Sequence, residues 1–599
     1  MSNMMDPLVA EWLRLDKDEE TRREIELLRF ELNAAELERR LRPRISFGTA
    51  GLRARMEAGF ARMNSLVVIQ TSQGIAQYLL DHVPEATKKG VVIGYDARHN
   101  SRKFAELAAA AFIHKRIPVR WYEHIVHTPL VSFGVKFLQA VAGVMITASH
   151  NPAQDNGYKV YGKDGCQINS PADDLITASI MDNLEPATWK IEDDSLRDNV
   201  LEEVKSAYFG TMIETVVKLP PDLKALPRFI YTPLHGVGLE YMTAALEKIE
   251  LSNGSIHGDK ETATKYMTVE KSQAKPDPSF PTVEYPNPEE KGALDLAMKT
   301  ADSQGINLVI ANDPDADRFA AAEKVDGAWH QFTGDQMGVL LGYYVFEARL
   351  HDGPRPIVML VSAVSSQMLV AIAHTEGFLV QETLTGFKWL GNRAAEVARD
   401  GEIEVCFAYE EALGYMVPKV VYDKDGISAA LLFLGLCVKC GSPLKLMNSL
   451  YKAYGYFEVM NTYWKSPNAA TTKRVFQDIR GLGGPFPEKK GDKFGDRKIV
   501  RWRDLTNGYD SLTLDHFPEL PTSAATEMIT CWLDGTNTDK GIRFTIRASG
   551  TEPKIKVYLE CRSDTANCAK SGAIGVLRLL EREFFSDPSL VMEQKFDLS

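Results

Sequence analysis

The stretch AGVMITASHNPAQDNGYKVY, residues 142–161, joins a buried strand to a polar turn. Its first five residues form an unbroken apolar run, which predicts a central strand of a covered sheet. The chain then turns polar at Ser149 and His150, and Pro152 and a later Asn-Gly pair force turns. A hydroxyl group is therefore placed at the carboxyl end of a strand, where open α/β sheets bind their ligands. Taken alone, these residues also fit an ordinary Ser/Asn-rich turn.

Strand-like and helix-like segments alternate around this stretch. GVVIGYDAR and IPVRWY have strand patterns, and FAELAAAAFIHK between them has a helical pattern. Apolar strands that run into polar loops recur at residues 306–310 and 405–408. Such alternation predicts mixed sheets covered by helices. We therefore expect three related α/β domains and a smaller C-terminal α+β domain, at residues 1–216, 217–328, 329–446 and 447–599.

The two ends of the chain have patterns of their own. Asp6 followed by Pro7 is typical of a helix start, and residues 8–41 predict two charged helices. Near the other end, residues 547–554 predict a hairpin tip and residues 572–584 predict a closing helix.

The composition is that of a globular protein, with 44% hydrophobic and 25% charged residues. The net charge of −12 argues against nucleic acid and anionic membranes as partners. Seven cysteines, an odd number, do not suggest a disulfide framework, and the Cys437–Cys440 pair lies in an apolar run typical of a buried helix. No secretory signal pattern is visible at the N-terminus, so we expect a cytoplasmic protein. We expect it to be a monomer or a dimer.

Asp313, Asp315 and Asp317 alternate along a loop that follows a buried strand. Carboxylates spaced in this way can converge on one hard cation. An EF-hand is excluded, because Arg318 and Lys324 occupy the places where such a loop needs a glycine and a bidentate glutamate. Mg²⁺ with few protein ligands and a phosphate nearby fits this loop best. An Asp-rich surface turn is the alternative.

Three further segments have compositions suited to sugar phosphates. Arg53 projects from the glycine-bearing turn FGTAGLR, as in a phosphate site or on a plain surface. Glu410 and Glu411 lie at a strand end, where carboxylates can bind sugar hydroxyl groups, although a surface pair is the alternative. An anion cradle of guanidinium, hydroxyl, amide and ammonium groups is formed by Arg547, Ser549, Gly550, Thr551 and Lys554.

Four loops resemble, in order, the signature loops of the α-D-phosphohexomutase superfamily: TASHNP, DPDADR, EEALGY and RASGTEPK. Other segments are most similar to the branch that contains phosphopentomutases and glucose 1,6-bisphosphate synthases: FGTAGLR, DNGYKVY, HGVG and TLTGFKW. The matches extend over nearly the whole chain. The resemblance implies an isomerase of sugar phosphates whose four domains surround a central cleft.

The resemblance also implies how the site works. Ser149 would carry a phosphoryl group, pass it to a sugar monophosphate and take one back from the resulting bisphosphate. One Mg²⁺ per chain would be bound by Ser149 and the three aspartates. Lys159 and Lys388 would act as general base and acid, with His150 assisting, and Arg53 and Arg318 would supply a cationic field. Glucose 1,6-bisphosphate or another sugar bisphosphate would be the activator.

The sugar loop and the C-terminal cradle would bind the substrate. The resemblance implies that Thr385, Gly386, Glu410, Glu411 and Ala412 bind the sugar. The C-terminal cradle would bind the phosphate that does not react, and its domain would rotate to close the cleft.

One departure from the family pattern concerns the sugar loop. Glucose-specific members have Glu-x-Ser there, whereas this chain has Ala412. A lost hydroxyl group removes a hydrogen bond to the sugar, so strict selection of hexoses is not expected. Three functions stay open: a mutase of glucose and pentose phosphates, a synthase that makes glucose 1,6-bisphosphate from a donor such as 1,3-bisphosphoglycerate, and a non-catalytic sugar-phosphate-binding protein.

Overall fold

The computed structural model describes residues 2–48, 51–217, 226–252, 265–350, 356–482, 492–549 and 554–592. The chain divides into two compact units. The first contains Met1–Val361 and Gly386–Leu444, and the second contains Ser362–Thr385 and Lys445–Ser599.

The first unit begins with three helices, α1 (Ser2–Leu15), α2 (Glu19–Phe30) and α3 (Ala34–Leu41). The expectation of two helices in residues 8–41 is wrong, because three helices cover this range. α2 and α3 are separate helices, since Leu32 has a positive φ and Asn33 caps α3. The expected helix start at Asp6-Pro7 is also wrong. α1 already begins at Ser2, and Pro7 lies inside it, where it removes a single hydrogen bond near the helix start.

The next elements build a mixed sheet. In chain order they are β1 (Gly51–Arg55), α4 (Ser65–His82), α5 (Ala86–Lys89), β2 (Val91–Tyr95), α6 (Ser101–His114), β3 (Val119–Trp121), α7 (Thr128–Phe137), β4 (Ala142–Ile146), β5 (Asp155–Gly162), α8 (Ala172–Asp182), a 3₁₀ turn (Asp194–Leu196), β6 (Arg197–Asn199), α9 (Leu201–Met212) and a π-helical turn (Ile213–Val217). The strand order is β1-β5-β4-β2-β3-β6. β4 is buried along its whole length, as its apolar run predicts, and it pairs in parallel with β2.

A second sheet follows, with the elements β7 (Phe229–Thr232), α10 (Gly238–Ser252), β8 (Met267–Val269), α11 (Asp295–Gln304), β9 (Leu308–Asn312), β10 (Phe319–Val325) and β11 (Ala328–Gln331). The strand order is β11-β10-β9-β7-β8. The strand predicted at residues 306–310 is β9, displaced by two residues, and it is fully buried. The aspartate loop lies between β9 and its antiparallel partner β10.

The third segment contains α12 (Gly334–Arg349), β12 (Ile357–Ser362), α13 (Met368–Glu376), β13 (Leu379–Thr383), α14 (Phe387–Asp400), β14 (Glu404–Glu410), β15 (Gly414–Met416), α15 (Gly426–Cys440) and α16 (Pro443–Tyr454). Parallel β12 and β14, with antiparallel β15 next to β14, bring the sugar loop to the end of a buried strand. α13 and β13 belong to the second unit.

Among the described residues, no single helix is long and apolar enough to span a bilayer. α15 and α16 meet that criterion only when taken together, across a bend of 78°. α15 is buried along most of its length, including Cys437. All seven cysteines are free thiols, as the sequence predicts.

The rest of the second unit is an α+β fold with β16 (Tyr456–Lys465), α17 (Ala469–Arg480), β17 (Lys493–Phe494), β18 (Arg497–Asp504), β19 (Tyr509–Asp510), β20 (Met528–Leu533), β21 (Gly541–Ala548), β22 (Lys554–Ser563), α18 (Ala566–Phe584) and β23 (Val591–Met592). The main strand order is β17-β18-β20-β21-β22-β16-β23, and β19 pairs with β18. α18 begins earlier than predicted because Thr565 caps it. The mixed sheets with helices confirm the predicted fold class.

Candidate active site

Ser149 lies just beyond the buried end of β4 and is itself only 2% exposed. Its hydroxyl group donates a hydrogen bond to Asp313 Oδ2 at 2.8 Å, and His150 Nδ1 lies 3.2 Å from Ser149 Oγ. The φ angle of Ser149 is +54°, a left-handed conformation that is unfavourable for a serine. The fold therefore holds this serine in a strained turn and directs its hydroxyl group at the aspartate loop.

This strain predicts a difference between two variants that both lack the hydroxyl group. Ser149→Gly should be more stable than Ser149→Ala by ~0.5–1 kcal/mol, because glycine adopts a positive φ freely, and this gain exceeds its larger loss of chain entropy. The free energy of unfolding in urea measures the difference. A less stable glycine variant would show that the turn is not strained.

The side chains of Asp313, Asp315 and Asp317 are fully buried and point toward one another. Each contributes one carboxylate oxygen to a group whose atoms all lie within 4.8 Å of one another. Asp315 Oδ1 and Asp317 Oδ1 are buried without a hydrogen-bond partner. Buried acceptors without donors are costly, and carboxylate oxygens are the ligands that Mg²⁺ prefers. The donor set therefore fits a hard divalent cation.

The charge of this cluster is distributed unevenly. Burial raises the pKa of Asp313 well above its ordinary value, and the charges of Asp315 and Asp317 raise it further. Burial alone would also raise the pKa of Asp315, but Lys159 and a hydrogen bond from Thr128 hold it below its usual range. Opposite charges close to a carboxylate favour its ionised form, so Asp315 is ready to bind a cation.

Lys159 is brought to the cluster by strand pairing. β5 runs antiparallel to β4, with Lys159 opposite Met145, so its side chain lies near the end of β4. The Lys159 ammonium group lies 2.7 Å from Asp315 Oδ2 and 2.7 Å from Asp317 Oδ2. The structure therefore places Lys159 beside two of the aspartates, and its role as a general base stays a prediction.

The sequence did not predict two residues that contact the aspartates. Lys424 is buried, with its ammonium group 3.1 Å from Asp317 Oδ2. Burial lowers its pKa, but Asp317, Asp423 and Glu410 together raise it above its ordinary value. The available signal was the D-K-D-G segment directly before the apolar run of α15.

The second missed residue is Thr128, at the start of α7. Its hydroxyl group donates to Asp315 Oδ2 at 2.5 Å, and its backbone N–H donates to Asp315 O at 2.9 Å. The first turn of a helix favours negative charge, so α7 supports the ionised carboxylate of Asp315. The Thr-Pro pair at the start of an apolar helix was the available signal.

The two predicted arginines lie in the field of the same carboxylates. Arg53, on β1, donates from Nη1 to Asn151 Oδ1 at 2.9 Å, which ties it to the Ser149 loop. The side chain of Arg53 is exposed overall, but desolvation of its guanidinium group lowers its pKa, and Asp315 opposes that shift. Burial likewise disfavours the charge of Arg318, but Asp313 and Asp317 raise its pKa. The two guanidinium groups can therefore offer positive charge to an anion near Ser149.

The predicted sugar loop lies at the end of β14. Glu410 Oε2 accepts a hydrogen bond from the Gly386 backbone N–H at 3.0 Å, so two of the predicted sugar-binding residues are in contact. Ala412 lies in the tight turn between β14 and β15. Burial raises the pKa of Glu410 to about 7, with Glu411 raising it and Lys424 lowering it. A carboxyl group of this kind changes its charge near neutral pH.

The raised pKa of Glu410 predicts a pH dependence of stability. Because the folded protein favours protonated Glu410, its stabilising effect is complete below about pH 4.5 and is lost as the pH rises toward about 7. Relative to Glu410→Gln, the wild type should lose on the order of 2 kcal/mol of unfolding free energy over that range. Chemical denaturation at several pH values measures this difference.

The matched control for that series is Glu402→Gln, which changes an exposed glutamate just before β14. Its unfolding free energy should follow that of the wild type at every pH. Parallel pH profiles for the wild type and Glu410→Gln would contradict the assigned environment of Glu410.

Lys388, the predicted acid, is partly buried and lies at the start of α14, two residues after Gly386. It is on α14 with its ammonium group 5.1 Å from the centre of the Trp389 ring. Burial lowers its pKa, and Asp173 and Asp174 of α8 oppose that shift. Among the described residues, no hydrogen bond or ion pair joins Lys388 to Ser149 or to the three aspartates. Its catalytic role stays a prediction.

The predicted phosphate cradle belongs to the second unit. β21 and β22 form its two sides, with Ala548 opposite Ile555. The Arg547 guanidinium group contacts the Thr385 hydroxyl group, and Ser549 N donates to Lys554 O at 2.8 Å. Gly550 and Thr551 lie outside the described residues. The structure thus groups Arg547, Ser549 and Lys554 at one end of this hairpin.

Models of the four phosphoglucomutase/phosphomannomutase domains match the chain in order. Alpha/beta/alpha domains I, II and III match residues 44–186, 206–327 and 333–454, and the C-terminal domain matches residues 534–569. Together they cover more than half of the chain.

Several known proteins are similar over nearly the full length. The phosphoribomutase of Saccharomyces cerevisiae is 41% identical, over 99% of this chain and 98% of its own. The phosphopentomutase of Homo sapiens is 40% identical, over 99% and 98%. The glucose 1,6-bisphosphate synthase of Homo sapiens is 38% identical, over 94% and 91%.

A solved structure shows the same fold. The open form of parafusin, a phosphoglucomutase from Paramecium, aligns with a TM-score of 0.63 at 17% identity, over 92% of this chain and 97% of its own. The chain therefore belongs to the phosphoglucomutase/phosphomannomutase family of the α-D-phosphohexomutase superfamily, and it is a phosphosugar mutase, an isomerase.

Proposed function

We propose that this mutase interconverts the 1- and 5-phosphates of ribose and deoxyribose, and the 1- and 6-phosphates of glucose, through a phosphoryl group carried by Ser149. The observation that carries the proposal is the 2.8 Å hydrogen bond from Ser149 Oγ to Asp313, inside a cluster of three buried aspartates. A serine hydroxyl group is a weak nucleophile unless a metal ion or a base activates it. Asp313, a proposed metal ligand, and His150, a candidate base, both lie within hydrogen-bonding distance of Ser149 Oγ.

The carboxylates of Asp313, Asp315 and Asp317 would bind Mg²⁺ together with the serine oxygen. Bound there, Mg²⁺ would stabilise the negative charge of the transferred phosphoryl group. Arg53 and Arg318 would add positive charge to the same region, which positions and stabilises that group.

Each half-reaction exchanges one bond for another. A sugar oxygen bonds to phosphorus while the bond from phosphorus to Ser149 Oγ breaks, and the second half-reaction reverses this with the other phosphate of the bisphosphate. One proton moves between the sugar hydroxyl group and Ser149 Oγ each time. Burial and nearby arginines lower the pKa of His150, so its ring is neutral and can exchange that proton with Oγ at 3.2 Å.

Lys159 would exchange the proton with the sugar hydroxyl group. Its ammonium group is paired with Asp315 and Asp317. Lys424, whose raised pKa keeps it protonated, is suited to stabilise negative charge rather than to donate a proton. The cradle of Arg547, Ser549, Gly550, Thr551 and Lys554 would bind the phosphate that does not react.

Ala412 supports action on pentoses as well as glucose, as do the names of the relatives. Replacing it with serine restores a hydroxyl group to the sugar loop. We expect Ala412→Ser to raise kcat/KM for glucose 1-phosphate relative to ribose 1-phosphate by ~5–10-fold, the effect of about one hydrogen bond. A coupled assay with both substrates measures the ratio, and an unchanged ratio would remove Ala412 as a determinant of specificity.

The second candidate function is glucose 1,6-bisphosphate synthesis, which the 38% identical human synthase favours. One assay separates the candidates. Ribose 1-phosphate, deoxyribose 1-phosphate and glucose 1-phosphate are each tested with and without glucose 1,6-bisphosphate, and then with 1,3-bisphosphoglycerate as donor. Isomerisation that depends on added bisphosphate supports the mutase. Bisphosphate formation that needs the donor, without isomerisation, would support the synthase.

We also propose a cytoplasmic location for the enzyme, because its seven cysteines are free thiols and its proposed substrates are small sugar phosphates.

A further inference from the structure

A buried pair of charges, Asp96 and Arg98, lies next to the Ser149 loop and has no part in the proposed chemistry. Both side chains are 1% exposed, and Arg98 Nε lies 3.5 Å from Asp96 Oδ2. The pair directly follows β2, and β2 runs parallel to β4 with Tyr95 opposite Ile146. Parallel pairing therefore brings both residues to the strand end from which the Ser149 loop begins.

Arg98 binds the backbone of that loop at four points. Nη2 donates to Ser149 O at 2.6 Å and to Asn151 O at 2.5 Å. Nη1 donates to Pro152 O at 2.8 Å and to Asp155 O at 3.1 Å. A guanidinium group can donate in several fixed directions at once, whereas an ammonium group has the same charge without this planar fork. The contacts therefore require arginine rather than positive charge alone.

Asp96 holds the other side of the same peptide segment. Its Oδ2 accepts from Thr147 Oγ1 at 2.6 Å, and Thr147 Oγ1 accepts from the Ser149 backbone N–H at 2.8 Å. Its Oδ1 accepts from Ser101 Oγ at 2.6 Å and from Arg98 N at 3.0 Å. The N–H of Ser149 is thus held through Thr147, and its carbonyl group is held through Arg98.

We propose that Asp96, Arg98 and Thr147 are positioning residues, which hold Ser149 in its left-handed conformation and so aim its hydroxyl group at Asp313 for phosphoryl transfer. A serine at a φ of +54° relaxes unless its flanking peptide groups are fixed, and this buried network fixes both. None of the three side chains hydrogen-bonds to Ser149 Oγ. The inference rests on the proposed role of Ser149 as phosphoryl carrier.

The test compares Thr147→Val with Thr147→Ser, because valine has the shape of threonine without its hydroxyl group, whereas serine keeps that group. Thr147→Val and Arg98→Lys should lower kcat by ~10–100-fold with KM changed less than ~3-fold, because misalignment affects transfer more than binding. Thr147→Ser should restore most of kcat. Arg102→Lys, on the exposed face of α6, is the matched control and should match the wild type.

A second readout follows phosphorylation of Ser149 by glucose 1,6-bisphosphate in a rapid-quench experiment. Thr147→Val should slow this step by the same factor as kcat and reach the same final stoichiometry. Wild-type kcat in Thr147→Val, equal losses in the valine and serine variants, or an effect on KM alone would overturn the inference while leaving the function intact. A wild-type protein that never carries phosphate on Ser149 would overturn the proposed function, and this inference with it.

Discussion

Ser149→Ala should reduce mutase turnover by at least ~10⁴-fold, the largest effect expected of any single substitution in this protein. The reason is chemical: the proposed cycle forms and breaks a bond to Ser149 Oγ twice, and alanine offers no oxygen. The remaining site would still bind sugar phosphates through other loops, so we expect little change in substrate affinity. Steady-state assays with saturating glucose 1,6-bisphosphate, together with equilibrium binding of the monophosphate, measure the two effects separately.

The matched control is Ser195→Ala, which removes an exposed hydroxyl group from the 3₁₀ turn before β6. It should keep full activity. If Ser149→Ala retained more than about 1% of wild-type turnover, a direct transfer between sugar phosphates without an enzyme carrier would have to replace the cycle proposed above.

Asp317→Asn should produce the second largest effect. Asp317 Oδ2 pairs with both Lys159 and Lys424, and its Oδ1 is a buried acceptor without a donor. Asparagine loses the charge that attracts a divalent cation and presents an N–H group to the two lysines. We expect Mg²⁺ affinity to fall at least ~100-fold and turnover to fall ~10³-fold.

Calorimetric titration with Mg²⁺, and Mn²⁺ binding followed by electron paramagnetic resonance, measure the metal site independently of activity. Asp326→Asn is the control, because Asp326 lies in an exposed turn after β10 and at a positive φ that asparagine tolerates. An Asp317→Asn protein that binds Mg²⁺ as the wild type does would remove Asp317 from the proposed ligands.

The parts of the site that the sequence predicted are local. Ser149 and the aspartates each follow an apolar run that becomes a buried strand, so their positions depend on a few neighbouring residues. Lys159 required only one antiparallel pairing, between β4 and the strand that follows it. Short-range patterns of this kind can be recognised in a single sequence.

The parts that the sequence did not predict depend on contacts between distant segments. Lys424 reaches Asp317 from the third segment of the chain, and Thr128 reaches Asp315 from the first. Arg98 belongs to a segment with an ordinary strand pattern, and its function emerges only when β2 and β4 pair in parallel. Local patterns such as the D-K-D-G segment can mark a residue of interest, but they do not show which distant segment it will contact.

For Lys388, the sequence predicted a catalytic role that no contact in the described residues tests. The resemblance to the family suggested a catalytic lysine in the TLTGFKW segment, and the structure places its side chain near the acidic residues of α8. Lys424 instead occupies the position beside the aspartate cluster. Comparing Lys388→Met with Lys424→Met in the mutase assay would decide between the two lysines, and the geometry favours the larger loss for Lys424.

The central claim, that Ser149 carries the phosphoryl group, is tested most directly by the intact mass of the protein. After incubation with glucose 1,6-bisphosphate and removal of small molecules, the account predicts one added phosphate per chain, mapped by peptide analysis to Ser149. The same treatment of Ser149→Ala should add none, and excess sugar monophosphate should remove the phosphate from the wild type. An unmodified protein that turns over at the full rate, or a phosphate mapped to another residue, would contradict the claim.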